Sequence, residues 1–265
     1  MWTKYALLIV GFLLWPIMAL ADAKTYEVDL VNKTDEIYVF VNHLPFRATG
    51  ESGRQYDLLM DELFAKSSFR VSRVVAPLSR AGTLFKARKK SCLFPTGSSR
   101  LDNPETAHHY VGSKAVDYFS LRLYAPRQST EEFYFLESLR NRNIGYIAGS
   151  GAIRTLGDVA AGWTPVESES QLVAMIKLGR LDGFVGHYPD TQIAIEKLDA
   201  AHLVNVKPLL YGKAPETAIF LCHANEVGAK FIAEMNELLD GLRRQGRLKE
   251  ILGQFAILAT PNPHL

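Results

Sequence analysis

The stretch that decides the fold is ESQLVAMIKLGRLDGFVGHYPD, residues 169–190. Leu172, Val173, Met175, Ile176 and Leu178 recur at helical spacing, Ser168 with Gln171 forms a capping box, and Gly179 supplies the stop. Leu181 to Val185 is then a short apolar run ending at Gly186, the pattern of a strand covered on both faces in a parallel sheet. The spacing therefore predicts a helix followed by a buried strand, with His187 and Tyr188 just past the strand's carboxyl end. In open α/β sheets that edge receives ligands.

Working outward, the chain of 265 residues is 48% hydrophobic, enough for one large core or two modest ones. Lys plus Arg number 30 against 28 Asp plus Glu, and a net charge of +2 gives no electrostatic reason to expect nucleic acid. At the amino end, Lys4, the apolar run Tyr5 to Leu20 and the triplet Ala19-Leu20-Ala21 read as a secretory signal over residues 1–21, cleaved before Asp22 or before Lys24. A membrane anchor is the competing reading; the run is shorter than the roughly 20 residues a bilayer needs, and it contains Pro16. With no Cys at the cleavage site to take a lipid, the expectation is a soluble exported protein, periplasmic in address.

Strands are expected at Glu36–Asn42, Phe69–Val75, Ser91–Phe94 (closed by Pro95), Ala115–Tyr124, Ile144–Ala148, Thr164–Val166 and Ala218–Cys222, with an extra one at Glu27–Val31. Between them fall helices from Arg54, over Ser79–Arg88, Thr130–Arg140 and Thr191–Leu198, an extended Leu203–Leu210, and a long closing helix capped by Asn225. That helix carries Val227, Phe231, Ile232, Met235, Leu238, Leu239 and Leu242 on one face, and a last helix spans about 247–255. Strands alternating with helices indicate an α/β protein with largely parallel sheets.

Gly179-Arg180-Leu181-Asp182, the strand and turn Ile144 to Ser150, and the closing helices Phe231 to Leu252 together resemble the family 3 extracellular solute-binding proteins, the bilobed periplasmic receptors of polar amino-acid uptake. The resemblance implies a two-lobed periplasmic-binding-protein fold, two mixed and mostly parallel sheets joined by crossovers near Tyr124-Ala125 and near Tyr211-Lys213. One lobe is then 24–124 plus 213–265, the other 125–212. It implies a solute held between the lobes that draws them shut.

Two departures bear on the ligand. Where the family's carboxylate-binding Arg follows a Thr-Pro-Glu-like element, Asn103-Pro104-Glu105 is followed here by Thr106, with Arg100 nearby. Counting from Asp182 to the family's ammonium-binding Asp lands on His187. With both halves of the zwitterion clamp displaced, an anionic or neutral polar solute fits Arg80, Ser98, Ser99, Arg100, Ser150 and His187 better than an ordinary α-amino acid does.

Individual residues carry two readings each. Phe46 is either an aromatic wall for the ligand or a core residue under its loop; Arg80 is either an anion contact or a solvated helix residue. The turn Gly149-Ser150-Gly151 either presents N–H groups to an anion or merely joins strand to helix. Asp182 reads as a local cap, and His108-His109 as a solvated pair without the further ligands a metal needs. Cys92 and Cys222 fall on strands that this fold sets side by side. They are either two buried thiols or a disulfide closing a very long loop, worth about 4 kcal/mol if unstrained.

Sequence signatures of hydrolase elbows, zincins and P-loops do not occur, and His187 with Glu105 is the sole acid–base pairing to name. The expectation is a non-catalytic monomer that uses no cofactor and no metal, binds a small polar solute and hands it to an ABC permease. A membrane sensor of the same fold and a small-acid dehydratase are the alternatives.

Overall fold

The computed structural model describes residues 35–129, 136–209 and 215–258. The expected signal segment, the strand at 27–31, the start of the helix expected from Thr130, and the crossover near 211–213 lie outside these residues. Among them, no helix is long and apolar enough to cross a membrane.

Strands β1 (Glu36–Asn42), β2 (Arg70–Ala76) and β3 (Ser91–Gly97) form a parallel group with β1 in the centre. Helix α1 (Gln55–Lys66) and helix α2 (Leu78–Ala87) make its crossovers. The sequence expectation closed β3 at Pro95. The strand continues to Gly97 because Pro95 falls in a register irregularity, between the Leu93–Leu221 and Thr96–Ile219 pairs, where a missing N–H costs no ladder bond.

β4 (Tyr110–Gly112) and β5 (Asp117–Pro126) follow. Of the helix expected over 130–140, the described part is a 3-10 turn at Leu136–Leu139. β6 (Ile144–Ile147), α3 (Ala152–Leu156) and β7 (Thr164–Val166) lead to α4 (Glu169–Lys177) and β8 (Gly183–Tyr188). α5 (Asp190–Lys197), β9 (Val204–Leu209), β10 (Glu216–His223), α6 (Glu226–Arg244) and α7 (Arg247–Leu252) complete the order.

The deciding stretch folds as its pattern dictates. Ser168 caps α4, its hydroxyl accepting from the Gln171 N–H at 3.4 Å, while the Gln171 side chain accepts from the Glu167 N–H at 2.9 Å. Gly179 takes the left-handed conformation, φ 66°, that ends the helix. β8 runs two residues further than Gly186 because Tyr188 and His187 pair with Ser120 and Leu121 of β5. His187 is thus the penultimate residue of the strand rather than a residue beyond it.

The sheet path runs β2-β1-β3-β10-β5-β8-β6-β7 and turns on β5. Its first residues, Asp117 to Phe119, pair with β10; from Ser120 onward it pairs with β8, and from Arg122 with β9. Tyr124 and Ala125 lie inside β5, and the strand changes partner earlier, between Phe119 and Ser120. The strands joining the halves are antiparallel, so the parallel groups β2-β1-β3 and β7-β6-β8 occupy the two ends.

Each half has apolar cover on both faces, which explains strands without polar alternation. In the first, α1, α6 and α7 bury Leu59, Leu63, Phe231, Met235 and Leu248 against Val39, Phe94 and Phe220, while Ala81 and Phe85 of α2 meet Phe40 and Leu93 on the opposite face. In the second, Leu139, Leu156 and Trp163 pack on Leu123 and Val185, and Leu172, Ile176 and Ile195 pack on Tyr124 and Phe184. Asn225 caps α6, accepting from the Gly228 N–H at 2.9 Å. The two cysteines form a disulfide directly across β3 and β10, at the Cys92–Cys222 register pair.

Candidate functional site

The carboxyl ends of both parallel groups open on one cleft of about 420 Å³. From the first half come Asn42 and His43 after β1, the start of α2 at Leu78 and Ser79, and Pro95 to Gly97 of β3; from the second come Ile147 to Gly151, Val185 to His187, and the openings of α4 and α5. Phe119, Glu216 and Ala218 on the connecting strands line it as well. This is where open α/β sheets place ligands, because loops and helix starts diverge there.

Gly149 allows the two sides to approach. It sits at φ 79°, and a Cβ there would lie 3.2 Å from the Ser79 nitrogen of α2. Gly186 is equally constrained, since a Cβ would overlap the Thr191 side chain at the first turn of α5.

At the edge of the cleft a short loop buries a cation. Leu44 and Ala48 exchange both backbone hydrogen bonds at 2.9 Å, and Asp57 accepts from the Thr49 and Gly50 N–H groups, so the turn is tightly held. Its Arg47 is 1% exposed. The guanidinium donates to Asp117 Oδ2 at 2.7 Å, to Asp190 Oδ1 at 3.2 Å and to Gln55 Oε1 at 2.8 Å, and stacks 3.9 Å above the Tyr56 ring. Tyr56 in turn donates to Asp117 Oδ1 at 2.7 Å. Burial works against the Arg47 charge, yet Tyr56, Asp190 and Asp117 together outweigh it and hold its pKa above the ordinary arginine value. Asp117 comes from β5 and Asp190 opens α5, where the helix dipole favours a carboxylate, so one arginine ties the first half to the second.

The remaining charges of the cleft are mostly acidic. Glu167 and Glu169 flank the start of α4, and Glu216 begins β10, lying so close over Gly97 that a side chain there would overlap its carboxylate. Ser99 donates to Glu216 Oε2 at 2.7 Å. The Glu169 carboxyl is pushed above the usual range, by burial first and then by the negative charge of Asp190. Opposing these carboxylates is Arg100, whose Nε donates to Thr96 Oγ1 at 3.0 Å.

Of the residues singled out from the sequence, Arg100, Ser150, Gly151 and His187 line the cleft, and His187 packs edge-on to Phe119 with ring centroids 5.3 Å apart. Phe46 is half-buried in the Arg47 turn, Arg80 is exposed on α2, and the half-buried Ser98 and Ser99 are not among the lining residues, Ser99 being linked to one of them, Glu216, by a hydrogen bond. The turn at Gly149 to Gly151 opens a helix of only five residues, and the Ser150 hydroxyl itself accepts from the Ala152 N–H at 3.4 Å. Asp182 is a structural cap between neighbouring strand starts, accepting from the N–H of Asn143, 39 residues away, at 2.9 Å. Glu105 is exposed and not among the lining residues, so the structure does not bring it to His187. The His108 and His109 rings lie tilted against one another with centroids 3.9 Å apart, and among the described residues no metal-binding group of three or more converges.

Reading the sequence alone missed Arg47, Tyr56, Asp117, Glu169 and Asp190. The one available signal was the acidic start of each helix, Glu169 and Asp190, at the carboxyl end of the sheet.

No family model matches the sequence, and no curated protein does either. Among solved structures, the fold is similar to an ABC uptake transporter substrate-binding protein from Streptococcus pneumoniae with bound histidine, at 13% identity and TM-score 0.66, over 84% of this chain and 92% of that one. A histidine kinase sensor domain with similarity to periplasmic binding proteins aligns at 15% identity and TM-score 0.70, over 86% and 99%. An ancestral arginine-binding protein bound to arginine aligns at 13% identity and TM-score 0.66, over 84% and 99%. At such identities the likeness establishes the fold: the chain has the mixed α/β periplasmic-binding-protein architecture.

Proposed function

On the premise of that fold, we propose that the protein is an exported, non-catalytic receptor that binds a small polar solute in the cleft and closes its two lobes around it. The lobes are taken to divide where β5 changes partner, between Phe119 and Ser120. The observation that carries the reading is the cleft itself: about 420 Å³, lined by polar and apolar groups alike, at the carboxyl ends of two separate parallel groups. A solute touching both sides gains contacts that exist only when they are together, and this differential contact drives closure. Export to the periplasm and delivery to a membrane permease complete the proposal, supported by the apolar amino-terminal run and by solved relatives of this fold that serve uptake.

A thermal-shift screen of polar metabolites tests it. A true ligand at 100 times its Kd stabilises the protein by about 2.7 kcal/mol. Stabilisation by a solute that is recovered chemically unchanged supports a receptor; turnover of that solute, or no response to any polar metabolite, contradicts it.

A further inference from the structure

We propose that the solute is an organic polycation, carrying amine or guanidinium groups and needing no carboxylate for recognition. The proposal rests on the cleft being the binding site. Among the described lining residues, four carboxylates, Glu167, Glu169, Asp190 and Glu216, face one guanidinium, Arg100. Arg47 does not redress this, because it is shared between two carboxylates, Asp117 and Asp190. A ligand carboxylate entering here would meet like charge, whereas a cation would be drawn in.

A second observation points the same way. Asn42, 9% exposed, lines the cleft, and its Nδ2 donates to the Pro95 carbonyl at 2.8 Å. That bond fixes the sense of the amide and leaves Oδ1 as a buried acceptor with no hydrogen-bond partner among the described residues. Buried acceptors are costly unless a donor reaches them. Ammonium and guanidinium groups are donors only, while a carboxylate offers no donor at all. The raised protonation range of Glu169 fits the same excess of negative charge, which a bound cation would relieve.

The test is calorimetry on the purified protein with agmatine, L-arginine and succinate, in buffer of fixed salt. Agmatine and L-arginine differ in the carboxylate, and succinate is a small dianion without any amine or guanidinium. The expected result is that agmatine binds at least as tightly as L-arginine and that succinate does not bind. Glu169→Gln and Glu216→Gln, each checked for a native melting transition, should weaken agmatine by about tenfold, the equivalent of about 1.4 kcal/mol. Binding of succinate, or L-arginine bound more than tenfold tighter than agmatine, overturns the charge assignment and leaves solute binding intact. Failure of agmatine to bind also overturns it, and the polar-metabolite screen then decides separately whether the cleft is a receptor site.

Discussion

Arg47 Nη1 donates to Asp190 Oδ1 at 3.2 Å, so a turn following the first strand and the opening of a helix in the other half share one ion pair beside the cleft. The same guanidinium holds Asp117, whose side chain is fully buried. Removing the cation strands a carboxylate. Arg47→Met is expected to lose about 3–5 kcal/mol of stability in urea melts. Asp190→Asn should lose much less, because Asp117 keeps its partner; equal losses would mean that the two carboxylates are not ranked as the geometry indicates.

The Cys92–Cys222 bridge ties β3 to β10 and spans a sequence separation of 130 residues. Reduction, or replacement of both cysteines by Ser, should cost about 2–5 kcal/mol, read as the difference between denaturation curves with and without reductant. Coincident curves would show that the bridge contributes nothing to the folded state.

Gly186→Ala places a methyl group against Thr191 and should cost about 1–3 kcal/mol. Combining it with Thr191→Ser removes part of the overlap, so the double variant should recover some of the loss and the two changes should be non-additive in a double-mutant cycle. Strict additivity would place the strain elsewhere.

Glu169 has a raised pKa in the fold, so its ionised form is disfavoured by folding. The sign follows: stability is fully present below the ordinary glutamate value of 4.5 and falls as pH rises through the folded value. Glu169→Gln should therefore melt at a higher temperature than the natural protein at pH 7 to 8, and the gap should close below about pH 4.5. A gap that widens on acidification would reverse the assignment.

Much of the fold is written in local pattern. The capping box at Ser168, the Asn225 cap and the apolar face of α6 each declare themselves through chemistry within one or two turns of chain. The end of β3 does not, because whether Pro95 breaks a strand depends on the partner, and the irregularity opposite Phe220 accommodates it. The cleft was legible only as an edge. His187 was located by counting from Asp182, whereas the charge cluster depends on Arg47, a residue with no periodicity whose burial is set by partners 70 and 143 residues away. The acidity of the lining was illegible for the same reason: its acids open helices and strands far apart in sequence, and nothing local gathers them.

The most direct measurement is hydrogen exchange of the backbone with and without the solute that raises the melting temperature most. The account predicts that binding slows exchange at once in residues 42–47 and 77–82 of the first half and in residues 147–151 and 186–191 of the second. Slowing confined to one half, or located away from these segments, would contradict a solute held between the two.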